Sequence, residues 1–384
     1  MSGRICVFGT SNGIIKDGYI SGLEGHDGTT NFKNFSIGSS CSFVFYGASK
    51  TVNFRDFDWV ILDYCVNDGL MLASGANSLK NWCGSLEDIA AKVGVGGANP
   101  VLLMLPAMQI VRRPSPVVLA AHQISARLGL PIFDGYAFIQ RIVDAQPGLH
   151  LASLFREDAH LHPWLAKHIG WHLAAFLHHA KASPGAFGEA MISKHTYELE
   201  EVQDVFPADR LISRKTSLTE RQIFMMPEGA EAYFKVNKPG RVVGVSLNLT
   251  KSCGVLKFKE NENTWKKSWT SEYVKIWLAK PDSLILATLP VKDFSVVDGL
   301  KISVLRDGFG NADESLGRPY PEARESWPCA IELNGLILES VCEKRSFVRP
   351  FASAVDVQST ISDDDIKQIA THAFSRQEAG HSET

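Results

Sequence analysis

Five features are scarce or missing in these 384 residues, and each absence excludes something. No apolar run approaches the roughly 20 residues that a membrane-crossing helix needs. Neither sign of charge dominates: 39 Lys and Arg stand against 42 Asp and Glu, a formal net charge of −3. Residues 1–190 balance at 14 against 14, which argues against a broad nucleic-acid surface, since neutralising phosphates takes clustered cations. Seven cysteines (Cys6, Cys41, Cys65, Cys83, Cys253, Cys329, Cys342) form an odd, scattered set without CxxC spacing. They read as reduced thiols, not as a disulfide framework or zinc ribbon. No charged-then-apolar leader precedes the first strand-like run, so the expected location is cytoplasmic. The glycines Gly94, Gly96 and Gly97 lack GxGxxG spacing and precede a strand-like run, so no dinucleotide or other cofactor is expected.

What is present divides in two. In the first half, apolar runs at 4–8, 31–37, 58–63, 101–105 and 132–134 alternate with helix candidates at 86–93, 115–128 and 164–180. That alternation predicts a mostly parallel sheet covered on both faces. From Tyr233 the period shortens, with strand candidates at 233–236, 242–247, 255–258, 274–277, 284–286 and 302–305, the pattern of an antiparallel sandwich. The expected organisation is an α/β domain over 1–185, a transitional segment over 186–232 and a β-sandwich accessory domain over 233–350. A C-terminal tail over 351–384 would carry a short helix from Ser362 to Phe374, with Ser362 and Asp365 spaced as an N-terminal cap.

The chemistry-bearing residues lie at the ends of these strands. Gly9-Thr10-Ser11-Asn12 follows the first strand and offers a hydroxyl at the carboxyl edge of the sheet, where open α/β sheets bind ligands. Asn34-Phe35-Ser36-Ile37-Gly38-Ser39-Ser40 is a glycine-bearing turn. Asp58 to Asp68 is an apolar run that delivers Asn67 and Asp68. Glu157 precedes His160 by three residues, and Asp158 precedes His162 by four.

This order of Ser, Gly, Asn and acid-before-His resembles the SGNH (GDSL-like) hydrolases over about residues 3–180. The resemblance implies a flavodoxin-like three-layer α/β sandwich with Ser11 as nucleophile and His160 as base. Glu157 would orient the base, Asp158 with His162 being the other possible pairing. The backbone N–H groups of Ser11 and Gly38 and the side-chain amide of Asn67 would form the oxyanion hole. The sequence departs from the family in three places: Thr10 stands where the family has Asp, Cys65 where it has Gly, and Glu157 where it has Asp. A Glu can hold a catalytic imidazole as Asp does.

Such a set would cleave or transfer acyl groups through an acyl-serine. A sugar or polysaccharide ester, expected to be acetyl, is the substrate the family's breadth suggests. Trp265, Trp269, Tyr273, Trp277, Tyr320 and Trp327 give the second domain aromatic faces for sugar rings or for its own core. The alternative is a non-catalytic carbohydrate-binding or assembly protein on the same scaffold. Six histidines fall between His160 and His179, and His168 and His172 share a helix face. No HExxH glutamate or cysteine cluster accompanies them, so no metal is expected.

Overall fold

Strand β1 (Gly3–Gly9) is apolar on both faces, and it separates two cores. Cys6 and Phe8 point into one hydrophobic cluster, Ile5 and Val7 into the other. The same split recurs in β3 (Trp59–Asp63) and β4 (Asn99–Met104). Strands buried on both faces read as unbroken apolar runs, as parallel sheets require. With β2 (Thr29–Asn34) and β5 (Ile132–Asp134) they form a parallel sheet in the order β2-β1-β3-β4-β5. This is the flavodoxin-like order, whose switch point lies between β1 and β3. The computed structural model describes the chain except for residues 1–2, 28, 39, 74, 112–114, 181–188, 193, 216–219, 270–282, 307–313, 317–328, 343–344, 350, 352 and 382–384.

Helices α1 (Tyr19–Glu24), α2 (Phe45–Ala48), α3 (Cys65–Ala73), α4 (Leu79–Val95), α5 (Pro116–Leu128), α6 (Gly135–Ala145) and α7 (Pro163–His179) belong to this half. Local signals set their ends. Ser78 caps α4, Pro116 and Pro163 open α5 and α7, and Gly129 closes α5 in the left-handed region at φ 63°. Asp134 caps α6 through the N–H groups of Tyr136 and Ala137, each a terminal donor without a partner inside the helix. Helices α4 and α5 cover one face of the sheet; α1, α6 and α7 cover the other. Among the described residues, no helix is long and apolar enough to cross a membrane.

The chain continues through a two-stranded hairpin, β6 (Phe155–Glu157) with β7 (His160–Leu161), then β8 (Glu189–Met191), β9 (His195–Glu201) and helix α8 (Val202–Val205). Strands β10 (Leu211–Lys215), β11 (Glu220–Pro227), β12 (Glu231–Lys235), β13 (Gly240–Asn248), β14 (Gly254–Glu260) and β15 (Asn263–Trp269) follow. After them come β16 (Leu286–Val296), β17 (Gly299–Leu305), β18 (Glu314–Leu316), β19 (Ala330–Val341) and β20 (Ser346–Val348). One sheet runs β10-β11-β19-β13-β16, with β9 also on β19; the second runs β12-β17-β14-β15-β18. Phe224, Leu289, Leu333 and Leu336 of the first sheet meet Phe234, Phe258, Ile302 and Val304 of the second in one core. All ladders are antiparallel except β15 with β18. The strand expected at 274–277 lies outside the described residues, as do Tyr273, Trp277, Tyr320 and Trp327. Trp265 is buried beside Phe258 in the sandwich core.

Residues within 186–232 contribute β8 to β11, of which β9, β10 and β11 belong to the first sheet and β8 pairs with β20. Their polar character comes from contacts with the α/β half. Glu201 pairs with Lys50 at 2.7 Å, the N–H of Tyr197 donates to buried Asp88, and Tyr197 stacks on Tyr46. Tyr197, Leu199, Val243 and Ile337 sit in the same cluster as Phe8 and Phe43, so the two halves share a core. At the other end, residue 132 bridges to Asp356, and Arg141 grips the carbonyls of Gln358 (2.6 Å) and Ile361 (2.8 Å). The C-terminal helix runs Asp363–His381, longer than the sequence suggests. Its last turns are held by Gln377, which accepts from the His150 N–H and donates to the Gly148 carbonyl. An amide leaves no trace in an apolar periodicity.

Helices α1 and α7 cross with their backbones in contact. A Cβ on Gly22 would stand 2.1 Å from the Lys167 carbonyl oxygen, and one on Gly170 1.9 Å from that of Tyr19. Overpacking of this kind costs about 1–3 kcal/mol, occasionally more. Gly170→Ala is therefore expected to lower stability by roughly that amount in urea titration.

Candidate active site

Each candidate residue stands at the carboxyl end of a strand or in the hairpin beyond the sheet. Gly9 ends β1 opposite Asp63, the last residue of β3. Any side chain at Gly9 would collide with its surroundings, as its Cβ would lie 2.9 Å from Ser36 Oγ and 3.1 Å from both Asp63 Oδ2 and Tyr19 Oη. The chain can therefore turn directly into the 3-10 helix Ser11–Ile14, which presents the Ser11 hydroxyl at its first position.

The Ser11 hydroxyl donates to His160 Nε2 at 2.7 Å, and His160 Nδ1–H donates to Glu157 Oε1 at 2.7 Å. The three-residue spacing of acid and base comes from the β6–β7 hairpin, in which Glu157 and His160 are directly paired across the strands. Opposed residues of an antiparallel pair lie within side-chain reach. The imidazole is largely shielded, its side chain 17% exposed, while Glu157 is 53% exposed. Glu157 is held below the usual carboxylate range, first by the hydrogen bond from His160 and then by one from Arg156. The bond to Glu157 assigns the proton to Nδ1 and leaves Nε2 free to accept from the serine.

The alternative acid–base pairing is not assembled. Asp158 sits in the hairpin turn, where its Oδ2 accepts from Gln109 Nε2 at 2.9 Å and its carbonyl accepts from the Met108 N–H. His162 occupies the N-cap position of α7, and its pKa is lowered, chiefly by burial. Among the described residues no hydrogen bond joins the two.

Gly38 is placed by the chain beyond β2, and Asn67 by the first turn of α3. Beyond β2 the chain continues along β1, with the Phe35 N–H on the Val7 carbonyl and the Ile37 N–H on that of Gly9. This leads Gly38 to Ile14, whose Cδ1 would lie 3.2 Å from a Cβ there. Asn67, in the first turn of α3, gives one amide N–H to the Ser40 carbonyl at 2.8 Å, which fixes the plane of the amide and the direction of its second N–H. Asp68 orients this loop rather than its own turn. Its Oδ1 accepts from the Ser42 N–H (3.0 Å) and hydroxyl (3.2 Å), and its Oδ2 from Trp82 Nε1 (2.8 Å). Burial outweighs these donors and pushes its pKa up to about 6. His168 and His172 line a groove between α7 and the C-terminal helix, and no group of three or more metal-ligating side chains occurs among the described residues.

Asp63 is the site neighbour that sequence reasoning passed over, although an acid ending an apolar strand beside the nucleophile's turn was there to be read. It is fully buried, and Tyr19 donates its hydroxyl to Oδ2 at 3.0 Å. Burial pushes its pKa up to about 7, the Tyr19 bond opposing.

No family profile matches the sequence, and no curated protein matches it significantly. The fold is an α/β unit with a flavodoxin-like parallel sheet, followed by an antiparallel sheet-rich region. Among solved structures, the chain is similar to a two-domain esterase (CEX) active on acetylated mannans. The TM-score is 0.61 at 12% identity, over 90% of this chain and 92% of that one. The same esterase co-crystallised with mannopentaose gives 0.54 at 11% identity, over 88% and 91%.

The Asp63 carboxyl carries a pH signature. Its folded pKa lies above the ordinary 3.8, so the stability of the neutral form is complete below about pH 4 and is lost as pH rises through about 7. Asp63→Asn keeps an acceptor for Tyr19 and removes that loss. It is expected to stabilise the protein by on the order of 2–4 kcal/mol at pH 8 and by little at pH 4. Urea titrations across that range test this, and a gain independent of pH would refute it.

Proposed function

We propose that this chain is a serine esterase that removes acyl groups, by preference acetyl, from a sugar or polysaccharide through an acyl-serine intermediate. The single observation that carries the reading is the continuous relay from the Ser11 hydroxyl through His160 to Glu157, with 2.7 Å at each step. A serine hydroxyl is a weak nucleophile until a base takes its proton. In this reading His160 Nε2 takes it as Ser11 attacks the ester carbonyl, and Glu157 stabilises the imidazolium without itself being protonated. The N–H groups of Ser11, Gly38 and the Asn67 amide receive the developing oxyanion. His160 then returns the proton to the departing sugar oxygen, and a water activated by the same imidazole resolves the acyl-serine. An acceptor hydroxyl taking the place of that water would make the protein an O-acyltransferase.

The carbohydrate part of the reading is supported by the similarity, over both halves of the chain, to an esterase active on acetylated mannans. The domain assignment proposed with it is an SGNH-like catalytic unit over 1–185 and a β-rich accessory unit over 233–350, joined through 186–232, whose strands β9, β10 and β11 complete the accessory unit's first sheet.

Purified protein is expected to react with a fluorophosphonate probe and to hydrolyse p-nitrophenyl acetate. Ser11→Ala should abolish labelling, and Ser11→Ala and His160→Ala should each cut turnover by at least about 10³-fold. Asn67→Ala should cost about 10²–10³ and Glu157→Gln roughly 10²–10⁴, while Asp158→Asn should leave turnover near the parent's. A folded parent that neither labels nor turns over, yet binds glycans, would mark a carbohydrate-binding protein on a hydrolase scaffold.

A further inference from the structure

We propose that the sandwich half is a working part of the oxyanion hole, because its strand β16 holds the loop that carries Gly38 and receives Asn67. The proposal rests on the esterase reading and concerns how that site is kept in register. Gly38 and residues 40–42 belong to no strand, and residues 40–42 are gripped from two sides. From the α/β half, the first turn of α3 holds it at Ser40 through Asn67 and at Ser42 through Asp68. From the sandwich half, the Ser40 hydroxyl donates to the Leu286 carbonyl at 3.2 Å, and Cys41 Sγ donates to the Thr288 carbonyl at 2.9 Å. Ser40, Cys41, Ser42, Asp68 and Thr288 are all at most 2% exposed. A bond lost there is not replaced by one to bulk water.

The grip on the sandwich side is itself anchored. The Thr288 hydroxyl donates to Ser246 Oγ, Ser246 donates to Asn334 Oδ1, and Asn334 Nδ2 donates to the Gln222 carbonyl. These four residues lie on β16, β13, β19 and β11, in the order in which the strands pair. A polar row thus crosses four neighbouring strands of the sheet and ends at the loop. Buried networks with every partner in place specify one arrangement.

Ser40 and Cys41 are accordingly positioning residues. If β16 releases the loop, the Ser40 carbonyl shifts, the Asn67 amide loses its fixed plane, and the Gly38 N–H moves off the oxyanion. Ser11, His160 and Glu157 are held by other elements and stay in place. Displacements of this kind penalise the transition state more than substrate binding, so the loss should fall on kcat.

The test is steady-state kinetics on the full chain with p-nitrophenyl acetate, using Ser40→Ala, Cys41→Ala and their donor-keeping counterparts Ser40→Thr and Cys41→Ser. The alanine variants are expected to lose roughly 10–100-fold in kcat with KM near the parent's, and the Thr and Ser variants to recover most of it. Melting temperatures within a few degrees of the parent's would separate positioning from folding. Parent-like kcat in both alanine variants would overturn the proposal. So would a loss that only tracks melting temperature and is not recovered by Cys41→Ser or Ser40→Thr. A parent without turnover and without Ser11 labelling would instead overturn the esterase reading on which it stands.

Discussion

The hydrogen bonding of β1 on both its edges is the constraint from which the site follows. Parallel pairing with β2 and β3 brings three strand ends to one edge, and every connection from them must leave in the same direction. The turn after β1 carries Ser11, the extension of β2 carries Gly38, and the helix after β3 carries Asn67. No one of these segments encodes a pocket; the sheet order assembles one, as it does at the switch point of any doubly wound sheet. His160 comes from elsewhere, on a hairpin that α7 continues. The close crossing of α7 with α1, Gly170 against Tyr19 and Gly22 against Lys167, ties His160 to the helix that follows Ser11.

Bringing those strand ends together buries polar groups beneath the serine. Asp63, Tyr19, Thr10, Asn12 and Ser36 are all at most 6% exposed. A neutral Asp63 fits such a place at lower cost than an ionised one, since burying an unpaired charge is the most expensive option open to a fold. Asp68 meets the same difficulty differently, with three donors on its two oxygens. The two carboxyls thus occupy equally dry positions with unequal compensation, and the better compensated one is pushed up less, to about 6 against about 7.

Much of the architecture is legible in the sequence for a simple reason. Strands buried on both faces announce themselves as apolar runs, and the order of β1, β3, β4 and β5 between helical stretches implies the parallel sheet. The Glu157–His160 spacing is legible too, because a two-residue turn places the residues before and after it opposite one another. What escaped notice depends on partners far along the chain. Strand β9 reads as polar because Glu201 and Glu200 are buried against Lys50 and Asn237. The carbonyls that hold Ser40 and Cys41 lie 246 and 247 residues away, and a backbone carbonyl leaves no mark on a sequence at all. The tail was illegible beyond Phe374 because an amide, not an apolar stripe, secures it.

The departures from the SGNH pattern become intelligible in these terms. A Glu on a hairpin reaches its cross-strand histidine as directly as a shorter acid reaches along a loop, at the cost of exposing the carboxylate to solvent. An exposed carboxylate interacts weakly as a charge, since water screens it, and Arg156 draws on the same oxygen. Its main contribution is therefore geometric: it selects the Nδ1–H tautomer and aims the ring. In the esterase reading proposed above, with little field supplied from the acid, more of the stabilisation of a tetrahedral intermediate would fall to the oxyanion donors. The loop that carries Gly38 is where this chain concentrates buried hydrogen bonds, from Trp82 and Asp68 on one side and from a row across four strands on the other.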